Sequence, residues 1–203
     1  MTTRPLGMVL VRETVIDDWQ ALRDIRLEAL RDAPSAFGSS YEREAAFGEP
    51  DWLRRIARGG NFLAFIPEVG ASEVRASEVR ASEVSASEVR ASEVRASEVS
   101  ASAVSASEPA GLIGGYPETA DIVELVSMYV RPKARGRGVG EALVAAVFAW
   151  AQARDAKTVH LWVTESNDPA RALYERCGFS PTGERQPLPS DPSLDEIAMA
   201  RPL

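Results

Sequence analysis

The stretch IVELVSMYV, residues 122–130, is almost continuously apolar, and RPKARGRGVG follows it without a break. An apolar run of this kind, stopped by Pro132, is the pattern of a central strand. From about Val139 the period changes, and Ala142, Leu143, Ala146, Val147 and Trp150 fall on one helical stripe. Strand, basic glycine loop and helix therefore follow one another. That order, with further strands and helices on both sides, predicts an α/β or α+β fold built on one sheet.

The loop between strand and helix is suited to an anion. Glycine lets a backbone reach φ > 0 and lets a ligand approach it, while the N–H groups of a helix N-terminus and the helix dipole face negative charge. Gly136, Gly138 and Gly140 supply the first property, and Arg131, Lys133, Arg135 and Arg137 add cations. The spacing is not that of a dinucleotide fingerprint, and no Gly-Lys-Ser/Thr follows for a nucleoside triphosphate. A basic exposed turn without a ligand is the alternative.

The chain has 203 residues, 45% of them hydrophobic and 26% charged, enough for one sizeable core. The early apolar run Leu6–Val11 is broken by Arg12 and Glu13, which predicts neither a membrane span nor a signal peptide. One cysteine, Cys177, excludes an internal disulfide framework and points to a reducing, cytoplasmic setting. A net charge of -7 speaks against a general nucleic-acid binder and admits a cationic substrate. With no cluster of cysteine and histidine, no metal is expected.

Residues 71–108 differ in kind. The pentad Ala-Ser-Glu-Val-Arg/Ser repeats from Ala71 and decays towards Glu108. A period of five gives neither a helical stripe nor a strand face, so the segment reads as a solvated insert, disordered or transiently helical. In another frame it resembles the pentapeptide-repeat pattern, whose apolar residue fills a small β-helix. The flanking stretches NFLAFIPE and PAGLIGGYPE read as strands, which places the insert in a hairpin connection of a single domain spanning 1–203. Other elements follow from the same rules. Met8–Arg12 reads as a strand, and Asp17 caps a helix carrying Trp19, Leu22, Ile25 and Ala29. Two short helices are broken at Gly48 and Pro50, and Thr158–Val163 is a strand. Asp168 and Pro169 open a helix that closes at Gly178, and two final strands end the chain.

Arg135-x-x-Gly138-x-Gly140, preceded by ELVSMYVRP and followed by ESNDPARALYERCGF, resembles the coenzyme site of the GNAT superfamily of N-acetyltransferases. The resemblance covers about residues 8–200 apart from the repeat. It implies one mixed, mostly antiparallel sheet flanked by helices, with acetyl-CoA as co-substrate. It further implies that backbone N–H groups of Arg135, Gly136, Arg137, Gly138, Val139 and Gly140 wrap the pyrophosphate. The fourth and fifth strands would splay to admit the pantetheine arm, with the backbone of Met128, Tyr129 and Val130 polarising the thioester carbonyl.

Acetyl transfer to an amine needs a base for the ammonium and a weak acid for the departing thiolate. Glu124 lies in the apolar strand, on the face expected for Val126, Met128 and Val130. It is either a structural charge or, by the resemblance, the base, with ordered water as the other candidate. Tyr174 shares a helix face with Ala170, Leu173 and Cys177, which reads as core; the resemblance makes its hydroxyl the acid at the coenzyme sulfur. Asn167 is a helix cap on local grounds and a coenzyme contact on those of the family. His160 and Cys177 read as structural. The acceptor cleft would be bordered by Ala33–Phe47, with Phe37, Tyr41 and Phe47, and by the turn 187–192. The expected partner is a small-molecule or peptide amine, without nucleic acid or membrane, for a monomer or homodimer. The competing class is a coenzyme-binding or interaction module without catalysis.

Overall fold

A computed structural model describes residues 9–67 and 108–203. The readings made on the repeat between 71 and 107, and on Met8 as part of the first strand, lie outside the described residues.

Seven strands form one sheet in the order β1-β2-β3-β4-β5-β7-β6. They are β1 (Leu10–Glu13), β2 (Asn61–Phe65), β3 (Gly111–Pro117), β4 (Ile122–Val130), β5 (Thr158–Thr164), β6 (Ser180–Leu188) and β7 (Asp191–Pro202). All neighbours are antiparallel except β4 and β5. The parallel pair requires a crossover, and the helix after the glycine loop supplies it. Ala64 pairs with Gly111 across the ends of the β2–β3 hairpin, so the strands flanking the repeat are partners, as a hairpin connection predicts.

The helices are α1 (Trp19–Asp32), α2 (Tyr41–Ala45), α3 (Glu49–Ala57), α4 (Val139–Gln152) and α5 (Asp168–Arg176). They divide between the two faces. Leu22, Ile25, Ala29 and Leu30 of α1 pack with Leu63, Leu112 and Tyr129 on one side of the sheet. Leu143, Val147 and Trp150 of α4, with Tyr174 of α5, pack with Val123, Leu125 and Leu161 on the other. Burying apolar stripes on both sides of one sheet gives the chain its two cores.

The helix starts correct the sequence reading. Asp17 lies in a 3-10 turn, Ile16–Asp18, and α1 begins after Asp18. The Asp18 carboxylate instead accepts from Val15 N–H and from Arg12. Pro50 does not break a helix; it sits in the first turn of α3, where its missing N–H costs nothing, and Gly48 precedes it as cap. At α5 the cap is Asn167, whose side-chain oxygen accepts from Ala170 N–H, and Asp168 is already helical.

Candidate active site

The central strand is not regular. Leu112 pairs with Tyr129 and Gly114 with Val126, so two residues of β4, Ser127 and Met128, stand opposite Ile113 alone. Ser127, at this bulge, has φ 59°, a left-handed conformation. The extra residue exchanges the faces of the strand. Val126 lies beside Gly114 on the α1 side, whereas Met128 and Val130 pack on the α4 side. The expectation that Glu124, Val126, Met128 and Val130 share a face therefore fails after Val126.

The same strand parts from its neighbour. β4 and β5 pair only from Ile122–Thr158 to Glu124–His160, while β5 continues to Thr164 on β7. The β5-facing side of residues 125–130 is left without a strand partner. Beyond the gap lies a cleft of about 490 Å³ lined by β4, the glycine loop and α5. Met128, Tyr129 and Val130 form one wall, Arg135, Gly136, Gly138, Val139 and Gly140 the end, and Asn167, Ala170 and Leu173 the other wall. Arg137 and Tyr174 are not among its lining residues.

The loop at the end of this cleft is open for an anion. Gly136 and Gly138 have φ of 69° and 79°, and no atom lies within 4 Å of where a Cβ would sit on either. Among the described residues, the N–H groups of residues 136–141 have no backbone acceptor. Gly140 has a different task. A Cβ there would lie 3.0 Å from Leu173 and 3.3 Å from Met128, so glycine lets α4 start this close to α5 and β4 without displacing those side chains.

The cations of the loop are largely spoken for. Arg131 binds Glu28 at 2.6 Å and Glu108 at 2.9 Å, Lys133 lies 3.7 Å from Glu108, and Arg135 bonds Asp32 at 3.1 Å and the Val130 carbonyl at 3.0 Å. Glu28 and Asp32, one turn apart on α1, thus clamp the loop to the helix. Only Arg137 has no ion pair among the described residues, so backbone N–H groups remain the main anion donors. Tyr129 donates its hydroxyl to Glu28 and Asp32.

Tyr174 is buried, its ring edge-on to Phe179 with centroids 5.7 Å apart. Burial holds its phenol well above the ordinary pKa. Asn167 serves as a cap while also lining the cleft, so the two readings of it do not compete.

A second cleft, of about 450 Å³, adjoins the first and shares Ala36 and Phe37 with it. Glu124 lies on its sheet floor beside Val126, Ser127 and Trp162, and Phe47 and Pro189 border it. Tyr41, expected at this border, lines a separate surface groove with Arg31 and Ser190. Burial raises the Glu124 carboxyl above the usual range, with the charges of Glu118 and Glu196 acting in the same direction and His160 against them. Glu196, 7% exposed, also lines this cleft and accepts from Gln186 Nε2 at 2.6 Å. Sequence reading missed Glu196 and Arg26. The available signals were an acid at the start of the apolar run IAMA and a cation on the apolar stripe of α1.

Among the described residues, no helix is long and apolar enough to cross a membrane, and no group of three or more acidic, histidine or cysteine side chains could hold a metal.

Residues 72–179 match the model of the Acetyltransferase (GNAT) family. A Bacillus subtilis protein provisionally named a ribosomal-protein-alanine N-acetyltransferase is 30% identical over 79 residues, 39% of this chain and 52% of that protein. A mycothiol acetyltransferase of Salinispora tropica is 42% identical over 82 residues, 36% of this chain and 27% of its own. The aligned part thus spans about half the length, or less, of these curated relatives. A GCN5-related N-acetyltransferase from Kribbella flavida has a TM-score of 0.63 at 19% identity, covering 96% of this chain and 98% of that one. At that identity the likeness is one of fold.

Proposed function

The chain belongs to the acetyltransferase (GNAT) family, and from that premise we propose that it transfers the acetyl group of acetyl-CoA directly to an amine. The observation that carries the reading is the gap between β4 and β5, which ends on a loop of six N–H groups without backbone acceptors. An extended chain bearing a phosphate at one end fits such a gap. The unpaired edge of residues 125–130 offers it strand-like hydrogen bonds, and the helix N-terminus receives the anion.

When bound, acetyl-CoA supplies an activated acetyl thioester. The residues of this chain do the rest. Glu124, on the floor of the adjoining cleft, takes a proton from the acceptor ammonium, directly or through water. An alkyl ammonium has a pKa of about 10.4, so a carboxylate raised above its usual range is the better-matched base. Backbone N–H groups of Met128 to Val130 stabilise negative charge on the carbonyl oxygen. Tyr174, which follows Leu173 of the cleft wall, is the acid that the family resemblance assigns to the departing sulfur. The bulge at Ser127 supports this division of labour, because it aims Glu124 into one cleft and Met128 into the other. The single Cys177 supports a reducing, cytoplasmic setting.

Thiol release from acetyl-CoA across a panel of amines tests the reading. Tyr174→Phe is expected to lower kcat about 10²-fold while the KM for acetyl-CoA changes little. Tight binding of acetyl-CoA without acetylation of any amine would instead indicate a coenzyme-binding module.

A further inference from the structure

The second cleft carries charge of opposite sign on its two walls. On the sheet floor stand Glu124 and Glu196. On the helical wall stand Arg26, Arg43 and Arg55 with one acid, Glu44. The Glu44 carboxylate accepts from Arg26 Nη2 at 2.7 Å and from Arg26 Nε, and lies 3.0 Å from Arg55 Nη1. Three guanidinium groups against one carboxylate leave that wall with an excess of two positive charges. The two sets do not neutralise each other. Among the described residues no ion pair joins them: Arg26 and Arg55 pair with Glu44, not with Glu124 or Glu196.

The excess is not idle surface charge. The side chain of Arg26 is 5% exposed, yet its Nη1 has no hydrogen-bond partner among the described residues. A buried N–H without an acceptor is costly, more so on a charged group. Arg43, exposed on α2, has no ion pair among the described residues. The helical wall thus offers donors for an anion, and the floor offers carboxylates for a cation.

We infer that the acceptor is a small amino acid, its carboxylate held by Arg26 and Arg43 and its amine presented to Glu124. The inference rests on the acetyl-transfer reading and names its substrate class. A polyamine would set a second cation against the arginines, and an internal lysine or a protein N-terminus carries no α-carboxylate of its own to meet them. In the reaction the amine nitrogen bonds to the acetyl carbonyl carbon and the carbon–sulfur bond breaks. The ammonium gives one proton to Glu124 before it attacks, Tyr174 protonates the departing sulfur to the free thiol of coenzyme A, and the second proton lost from the nitrogen restores Tyr174, giving an N-acetylamino acid.

The experiment compares matched acceptors. Each of a set of L-amino acids is assayed for thiol release beside its C-terminal amide and its decarboxylated amine. The free amino acid is expected to have a kcat/KM at least about 10²-fold above both. Arg43→Gln, at an exposed position, is expected to raise the KM for the amino acid about tenfold; Arg26→Lys, which keeps the charge but not the fork, does the same. Amides, peptides or simple amines that serve as well as the free acid overturn the inference and leave acetyl transfer standing. If acetyl-CoA binds but no acceptor is turned over, the transfer reading fails, and calorimetry with coenzyme A present decides the site. Amino-acid binding weakened by Arg43→Gln supports the inference, and no binding overturns it.

Discussion

Val126 and Met128, two residues apart on β4, project from opposite faces of the sheet. A strand normally places residues i and i+2 on one face, and the left-handed φ of 59° at Ser127 breaks that rule by one inserted residue. Val126 borders the cleft that contains Glu124, and Met128 borders the cleft that ends on the glycine loop. One backbone irregularity therefore serves two compartments of the same site.

At the loop, Gly138→Val is expected to act through conformation and through the space it fills. No atom lies within 4 Å of where the new Cβ would sit, so the first atom of the side chain has room in the fold. The left-handed backbone costs about 1–2 kcal/mol with a Cβ present. The branched group also occupies the anion's place. Urea denaturation should show that loss, and calorimetry should show acetyl-CoA affinity down at least about tenfold; unchanged affinity in the folded variant would refute the assignment.

Glu124→Gln should have opposite effects on activity and on stability. The folded protein holds the Glu124 proton more tightly than the unfolded chain does, so this residue favours folding at acidic pH and loses that contribution as pH rises through its raised pKa. The variant is accordingly expected to gain Tm relative to the parent between pH 4 and pH 8. Its turnover should fall, and the acidic limb of the rate profile should flatten. Parallel melting curves at both pH values, with turnover intact, would remove Glu124 from the mechanism.

Glu44 titrates the other way. Its guanidinium neighbours hold the carboxyl at about 2 against burial, below its ordinary value of 4.5. The stability it contributes is present above the unfolded value and is lost as pH falls towards 2. Glu44→Gln leaves Arg26 and Arg55 without their shared counter-charge, and a cost of about 3–5 kcal/mol is expected at pH 7. Chemical denaturation should find that difference shrinking as pH falls towards 2.

The repeat offers a deletion test. Ala64 and Gly111 are partners across the hairpin, and Ala110 N–H donates to the Ala64 carbonyl at 2.7 Å, so the strand ends are already together. Loop closure costs only about 0.6 kcal/mol per doubling of length. Excising residues 71–107 and joining the ends through a short glycine turn, with Glu108 kept for Arg131, is expected to preserve the fold and acetyl-CoA affinity. Collapse of the thermal transition on deletion would mean that the repeat is structural.

The order of strands and helices, the β2–β3 hairpin and the glycine loop were legible in the chain itself. Each depends on local properties: apolar period, proline's missing donor and glycine's freedom at positive φ. Ile122–Val130 and the start of α4 at Val139 agree with that reading residue for residue. Local rules also narrowed Asn167 to a cap, and the structure adds that a cap can line a cleft. The bulge at Ser127, by contrast, depends on how β4 meets β3, and no residue of IVELVSMYV marks it. The clamp of Glu28 and Asp32 on the loop, and the gathering of Arg26, Glu44 and Arg55, join residues far apart in the chain. The period of a sequence reports which side of its own element a residue occupies. Which residues of other elements it meets there is decided only when the elements pack, and the charges of the second cleft arise at that step.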